Sequence, residues 1–542
     1  MSGPLSRVPP AARIGAAAVL AMGATVTWVY LLRGSLQGVR GSTEAWLLAH
    51  VQRIHWFDGD FAAAVATSRI PNTFANPLYP WLVGLFSHDV ESTMATAHLL
   101  SAASLGVIAL ALWGLWRDAV GPWAALGALA GAAFPAVVGI STQARYDAPA
   151  LAFALLAAWA ASSAWRAPSR RRSLAWPLAG LFVALAYLTR EYVGVVALCG
   201  LAVALLAGWR AWRGPVVALV VLLAVTLLFS LYVELSPLAG ILALVHYAEQ
   251  HGISRPMLHE ILGPPGRRVL MGVGLVGWVL AAWRTPGDRR ALLVPVALLV
   301  PLACFPFYPQ QSPQYYVLLP VVLGSGIGGL VAVLPKLPAL ARGALGLGVV
   351  AALVAWSHTA VPKAQAAPGS VPNLHVESFG RVHELPPLFD WAEELADDRM
   401  LVFCSNWVEN IDAHAQLHLE RPVAFAFVTQ LAQVDEALSV ADGREALLVV
   451  VERVEDIEAR SRGLGEVAGE FELGWTGARA FVLEGKPAMR GPDLCRGRFG
   501  LRGFCSQRDY LNGGWAEVAR GGAAQRGVWG STLVFKQDQS RR

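Results

Sequence analysis

The chain has 542 residues, 55% of them hydrophobic and only 15% charged, with a mean hydropathy of +0.48. Soluble globular proteins carry about 25% charged residues, so this composition excludes an ordinary soluble enzyme and points to a multispanning membrane protein. The net charge of +5 resides largely in short basic loops between apolar runs. It therefore argues for no nucleic-acid partner, and no zinc-ligand or P-loop spacing occurs.

Crossing a bilayer takes about 20 apolar residues, and about eleven runs approach that length. They are 12–32, 93–116, 119–140, 147–165, 174–189, 192–209, 215–233, 268–283, 291–307, 315–335 and 343–361. The first is longer than the apolar core of a signal peptide and no small-x-small cleavage site precedes Arg33, so it reads as a retained span. Only Arg190 and Glu191 separate 174–189 from 192–209. That pair reads either as two spans or as one long kinked helix with a re-entrant piece.

Orientation follows from Lys and Arg in short loops. Arg166 with Arg170–Arg172, Arg210 with Arg213, Arg284 with Arg289 and Arg290, and Lys336 with Arg342 mark four basic loops. With about eleven spans all four share one side, the cytoplasm. The loop 34–92, the short loop 141–146, the loop 234–267 and the C-terminal third then lie outside.

In the first outer loop, Thr43–Ile54 has helical spacing, with Trp46, Leu47, Val51 and Ile54 on one face. This predicts a short helix lying in the membrane interface, Trp46 at headgroup level. Glu44 stands at its start, where the helix dipole favours a carboxylate. A plain helix-start acid is the alternative to a catalytic one. Asp58 and Asp60 flank Gly59, which by itself reads as an Asp-Gly turn.

Two charged motifs sit at the outer mouths of spans. Arg145-Tyr146-Asp147-Ala148-Pro149 places an Arg and an Asp where charge is costly and is either paired or functional. Thr189-Arg190-Glu191-Tyr192 places a second Arg at the same depth. Arg suits a planar multi-oxygen anion such as phosphate. The competing readings are an Arg145–Asp147 pair that caps a span, and an Arg190 that pairs with Glu191 or snorkels to headgroups.

After the linker Pro362–Pro372 the composition changes. Met400–Cys404, Val423–Val428 and Ala446–Val451 read as strands buried on both faces. Ile411–Leu419, Gln433–Val440 and Val454–Leu464 read as helices between them. This alternation predicts an α/β layer with a mainly parallel sheet. No glycine-rich phosphate loop opens any of these helices, so the unit reads as a cover or recognition domain. Cys199 and Cys304 fall in spans and Cys404 reads as buried. Cys495 and Cys505 could pair in an oxidising compartment.

Taken in order, several motifs are distinctive: Thr43-Glu44-Ala45-Trp46, Gly59-Asp60, Asn76-Pro77-Leu78-Tyr79-Pro80-Trp81, Arg145-Tyr146-Asp147-Ala148-Pro149, Gly180–Arg190 and Tyr315-Tyr316-Val317-Leu318-Leu319-Pro320. Their order resembles the GT-C superfamily of polyprenyl-phosphate-sugar glycosyltransferases, in its protein-mannosyltransferase and aminoarabinose-transferase branch. The likeness covers about residues 10–360. Two positions depart from it: Thr43 stands for the first acid of an acidic pair, and Asn76 for a Lys.

The resemblance implies a polytopic α-helical membrane protein of about 11 transmembrane helices with a C-terminal extracytoplasmic α/β domain. The expected division is a catalytic domain 1–361, with its outer loop 34–92, and a domain 362–542. It implies a glycosyltransferase of the cytoplasmic membrane that moves a sugar from a polyprenyl-phosphate donor to a glycan, lipid or protein acceptor. Glu44 or Asp60 would serve as base. Arg190, Arg145 or Arg53 would hold the donor phosphate, and Asp147, Asn76, Tyr79, Glu191 and Tyr315 would line the substrate site. It implies no nucleotide and no obligatory metal, although the carboxylates do not exclude a divalent ion. The rival readings are a noncatalytic scaffold of the same fold and a transporter. Transporters often carry internal repeats and charges at the midplane; here no repeat is visible and the charges gather at span ends.

Overall fold

The computed structural model describes residues 42–56, 77–141, 143–166, 169–207, 212–233, 237, 265–284, 317–333, 338–360, 385–405, 411–421, 423–425, 445–462, 464–474 and 476–483. The expected spans 12–32 and 291–307, the turn at Asp58–Asp60, the linker 362–372, the helix 433–440, and Cys304, Cys495 and Cys505 lie outside these residues.

In chain order the helices are α1 (Ser42–Trp56), α2 (Leu78–Leu85), α3 (Val90–Val120), α4 (Ala124–Ala132), α5 (Pro135–Ser141), α6 (Asp147–Arg166), α7 (Ser169–Thr189), α8 (Glu191–Ala207), α9 (Arg213–Tyr232), α10 (Pro265–Arg284), α11 (Leu318–Ser325), α12 (Ile327–Val333) and α13 (Ala339–Ala360). There follow α14 (Pro386–Ala396), β1 (Met400–Cys404), α15 (Ile411–Leu419), β2 (Ala424–Phe425), β3 (Ala446–Arg453), α16 (Val454–Ser461), β4 (Gly469–Leu473) and β5 (Thr476–Leu483). The chain divides into two compact units, one drawn from 1–36, 97–229 and 252–363, the other from 37–96, 230–251 and 364–542. Residues 37–96 therefore group with the C-terminal third.

The first unit is helical. Among the described residues three helices are long and apolar enough to cross a membrane: Ser92–Val120, Asp147–Trp165 and Arg213–Tyr232. Helix α9 exposes Val220, Leu223, Leu227 and Leu228, and α10 exposes Val269, Val276 and Val279. Bare aliphatic faces of this kind suit lipid as solvent.

Two expected single spans are each a pair of shorter helices. The run 119–140 breaks between α4 and α5 because Pro135 has no N–H to continue the ladder; Ala133 N–H still bonds the Leu129 carbonyl (2.8 Å) and Val138 N–H the Phe134 carbonyl (3.0 Å). The run 315–335 breaks at Gly326, between α11 and α12. The ambiguous pair resolves into two helices, α7 and α8. A Cβ on Gly194 would lie 2.3 Å from Tyr187 Cα, whereas residues two turns apart on a continuous helix are about 10 Å apart. The chain folds sharply at Arg190.

Close packing in this unit relies on missing side chains. A Cβ on Gly274 would lie 1.8 Å from the Leu323 carbonyl oxygen, and one on Gly277 would lie 1.9 Å from that of Gly326. Helix α10 thus touches α11 and α12 backbone to backbone, a geometry that small residues permit in membranes. Beside this seam, the Trp116 indole N–H donates to Ser325 Oγ (2.9 Å) and the Trp278 indole N–H to the Val322 carbonyl (2.7 Å). The two indole rings lie 3.9 Å apart between centroids.

The second unit carries a five-stranded sheet in the order β2-β1-β3-β5-β4. Strands β2, β1 and β3 are parallel, while β5 and β4 run antiparallel to their neighbours. The sheet is therefore mixed, not mainly parallel. The β4–β5 hairpin escapes a search for apolar runs because β4 alternates, as a half-exposed strand does, and Gly474 turns it with φ 59°. The core is built on Val402, Cys404, Leu448, Val450 and Phe481. Cys404 is buried and forms no disulfide.

Helix α1 occupies the predicted residues but not the predicted setting. Leu47, Leu48, Ala49, His50, Val51 and Gln52 are all buried, because α1 packs against both α2 and α15. It is an interior helix of its unit. The one-faced apolar stripe expected of an interfacial helix is accompanied here by buried polar side chains.

Two outcomes follow. Gly277→Ala forces α10 off its partners and lowers the melting temperature of the protein in detergent, overpacking of this kind costing about 1–3 kcal/mol. Gly272→Ala, on the same helix with no atom within 4 Å of the new methyl group, leaves it unchanged or higher. The second outcome concerns His414, fully buried with no hydrogen-bond partner on either ring nitrogen among the described residues. Burial lowers its pKa from 6.5 to about 3. The unfolded chain takes up a proton below 6.5 while the folded chain stays neutral, so stability falls with falling pH by roughly 1.4 kcal/mol per unit across that window. His414→Phe removes this slope in denaturant titrations of the full chain; an unchanged slope assigns it to other groups.

Candidate functional site

The first unit brings together Arg145, Asp147, Arg190 and Glu191. The three residues before α6 form a short turn, and Asp147 opens the helix, where the dipole favours its charge. The turn is tied to α3: Ser101 Oγ donates to the Arg145 carbonyl (3.0 Å). From the other side, the fold-back between α7 and α8 delivers Arg190, and Glu191 starts α8.

Asp147 is 2% exposed and takes an arginine on each oxygen. Arg145 Nε stands 3.2 Å from Oδ2 and Arg190 Nε 3.6 Å from Oδ1. The Tyr192 hydroxyl donates to Oδ1 at 3.1 Å. Arg190 is itself buried and packs between two rings, its guanidinium carbon 4.3 Å from the Tyr146 centroid and 5.1 Å from that of Tyr192. Arg145 also donates through Nη1 to Gln143 Oε1 (3.2 Å). The expected Arg145–Asp147 pair is present at the start of α6, and the same carboxylate also meets Arg190. Asp147 is the common partner of two cations, and Arg190 faces inward instead of snorkelling.

Tyr146 and Tyr192 are members that sequence reasoning passed over. Their signal was adjacency, each being next to one of the charged residues. A further missed residue is Arg267, in the first turn of α10. It is 7% exposed, and among the described residues its Nε and Nη2 have no hydrogen-bond partner. Placed by hydropathy at the edge of a loop, it looked like an ordinary loop charge. A buried guanidinium at a helix N-terminus is a ready site for an anion.

The other candidates belong to the second unit or lie outside the described residues. Glu44 is in the first turn of α1 and Arg53 near its other end. Tyr79 is fully buried on α2. Asp60, Asn76 and Tyr315 lie outside the described residues.

Residues 74–233 match the family of dolichyl-phosphate-mannose-protein mannosyltransferases. Among solved structures, the chain is similar to ArnT from Cupriavidus metallidurans bound to undecaprenyl phosphate, with TM-score 0.58 and 17% identity over 85% of this chain and 97% of that one. It is also similar to the oligosaccharyltransferase AglB from Archaeoglobus fulgidus in complex with an inhibitory peptide and a dolichol-phosphate. There the TM-score is 0.53 and the identity 12%, over 81% of this chain and 69% of that one. No curated protein matches the chain by sequence. The chain shares the fold of these two membrane proteins, a fold of the kind that the order of motifs implied.

If Asp147 holds both arginines, Asp147→Asn deprives the buried Arg190 and the part-buried Arg145 of this shared counter-charge. Removing one partner of a buried pair costs about 3–5 kcal/mol, so this variant melts well below the wild type in detergent. Arg145→Ala, which still leaves Arg190 on Asp147, melts at an intermediate temperature. Equal melting of Asp147→Asn and wild type would show that the carboxylate does not bind the cluster together.

Proposed function

We propose that the protein is an integral membrane glycosyltransferase that moves a sugar from a polyprenyl-phosphate donor to an acceptor at the outer face of the cytoplasmic membrane. The observation that carries this reading is the buried Arg190, clamped by Asp147 and two tyrosine rings inside the segment that matches the mannosyltransferase family. Such a group is pre-organised for an anion and has little freedom left to lose on binding. Both ion pairs run through Nε, on one edge of each guanidinium. A guanidinium offers five N–H donors in a planar fork that matches phosphate geometry. Arg267 adds a second buried cation within the same unit.

The chemistry follows from the donor. The acceptor nucleophile forms a bond to the anomeric carbon as the bond from that carbon to the phosphate oxygen breaks. The leaving polyprenyl phosphate gathers negative charge, which Arg190, Arg145 and Arg267 stabilise. Glu44, or Asp60 in its stead, takes the proton of the acceptor hydroxyl or amine. Tyr79, Glu191, Asp147, Asn76 and Tyr315 shape the donor and acceptor pockets, and Arg53 is a further phosphate ligand. No nucleotide enters the reaction. The basic loops support an orientation with these groups toward the outer leaflet. The Thr43 and Asn76 departures favour a noncatalytic scaffold as the second reading.

The test uses the full chain in nanodiscs. Arg190→Ala weakens binding of undecaprenyl phosphate by at least tenfold, and Arg190→Lys by less, because Lys offers a point charge. Glu44→Gln keeps that binding while release of polyprenyl phosphate from the host's lipid-linked sugars falls by about a hundredfold. Unchanged binding in Arg190→Ala would remove this residue from the site. Full release by Glu44→Gln with loss in Asp60→Asn would move the base. Absence of release from every form, the wild type included, would favour the scaffold.

A further inference from the structure

We propose that Gln416 is a positioning residue for the transfer reaction: from α15 of the sheet-bearing unit it fixes the register of α1, the helix whose first turn carries Glu44. The inference rests on the reading of Glu44 as the base. Gln416 is fully buried, and its side-chain N–H donates to the Ala49 carbonyl at 2.6 Å and, more weakly, to Gln52 Oε1 at 3.4 Å. Residues 49 and 52 lie on one face of a helix, so the amide grips α1 at two points on that face. At the far end of α1, His55 Nε2 lies 3.1 Å from the Gly84 carbonyl of α2. The helix is therefore held along its length by two neighbours, one of them more than three hundred residues away in sequence.

The choice of a polar side chain is the informative part. Packing alone would be served by Leu or Met, since Leu47, Leu48 and Val51 already bury α1. Apolar contacts, however, tolerate sliding and rotation by a fraction of an ångström. A buried amide is costly unless bonded, so a glutamine aimed at one carbonyl admits one register and penalises the rest. A single buried Asn sets register in coiled coils for the same reason. Register matters here because a displacement of about 1 Å at a reacting group costs on the order of a hundredfold in rate. The C-terminal unit thereby acts on catalysis through the position of α1.

Gln416→Met keeps length and volume and removes both hydrogen bonds, while the Ala49 carbonyl retains its own helical partner. Gln416→Leu removes the same donor with a side chain that needs no partner, so a second variant is available if the first does not assemble. Each is measured for melting temperature, for binding of undecaprenyl phosphate and for release of polyprenyl phosphate from the host's lipid-linked sugars. The expected result is near-native melting, native binding and release reduced by at least tenfold. In a Glu44→Gln background the same change at Gln416 has no further effect, because its action runs through that carboxylate. Native release in either single variant overturns the proposal, as does an equal fold-loss in both backgrounds, which marks a merely structural residue. Full activity of Glu44→Gln alone overturns the base assignment, and that variant reports it separately.

Discussion

The Asp147 carboxylate carries two guanidiniums that arrive from different parts of the chain, one from the turn before its own helix and one from the fold-back between α7 and α8. With the buried Glu191 at the start of α8, the cluster holds two carboxylates and two guanidiniums. What makes the arrangement tolerable is its surroundings: the start of a helix for the anion and two tyrosine faces for Arg190, whose ring quadrupoles attract a cation by about 0.5–2 kcal/mol each. The cluster sits in a setting where a lone charge would be prohibitive. Guanidiniums held this rigidly are what the proposed transfer would require of a phosphate site.

That rigidity has its source in the helix packing around the cluster. Lipid gives helices no hydrophobic incentive to associate, so close van der Waals fit must supply it. The glycines of α10 and of the α11–α12 break bring carbonyl oxygens to positions that any Cβ would occupy. Gly180 does the same where α7 meets the Ala218 carbonyl of α9. The helix that ends at Arg190 is thus fixed against a neighbour by backbone contact, and Gly194 lets the next helix fold back on it. Glycine at these places sets where the arginine stands.

Legibility in the sequence followed the range of each interaction. Helices show through hydropathy because it is a local property of about 20 residues, and β1 and β3 show because buried parallel strands are continuous apolar runs. The bounds Met400–Cys404 and Ile411–Leu419 are those expected from pattern alone. The hairpin β4–β5 was missed because its alternation is mixed with Glu470, Glu472 and Arg479. The interior breaks at Pro135 and Gly326 were missed because total hydropathy stays high across them. Among site residues, Arg145, Asp147 and Arg190 were legible as costly charges in apolar surroundings. That Asp147 serves both arginines, or that Arg267 is buried, depends on elements distant in sequence and leaves no local mark.

Helix α1 shows the same limit from the other direction. Its apolar stripe has the period of a membrane-surface helix, and nothing within residues 42–56 distinguishes lipid from protein as the partner of that stripe. The distinguishing residues are His50 and Gln52, buried although polar. A helix at a lipid interface keeps such side chains in water, whereas a helix in a protein interior can bury them only where another element supplies bonding groups. Polar residues interrupting the inner face of an amphipathic helix therefore carry information that the apolar ones do not. They signal a partner with its own hydrogen-bonding groups, here Gln416, and so place the first outer loop inside a folded unit with the C-terminal third.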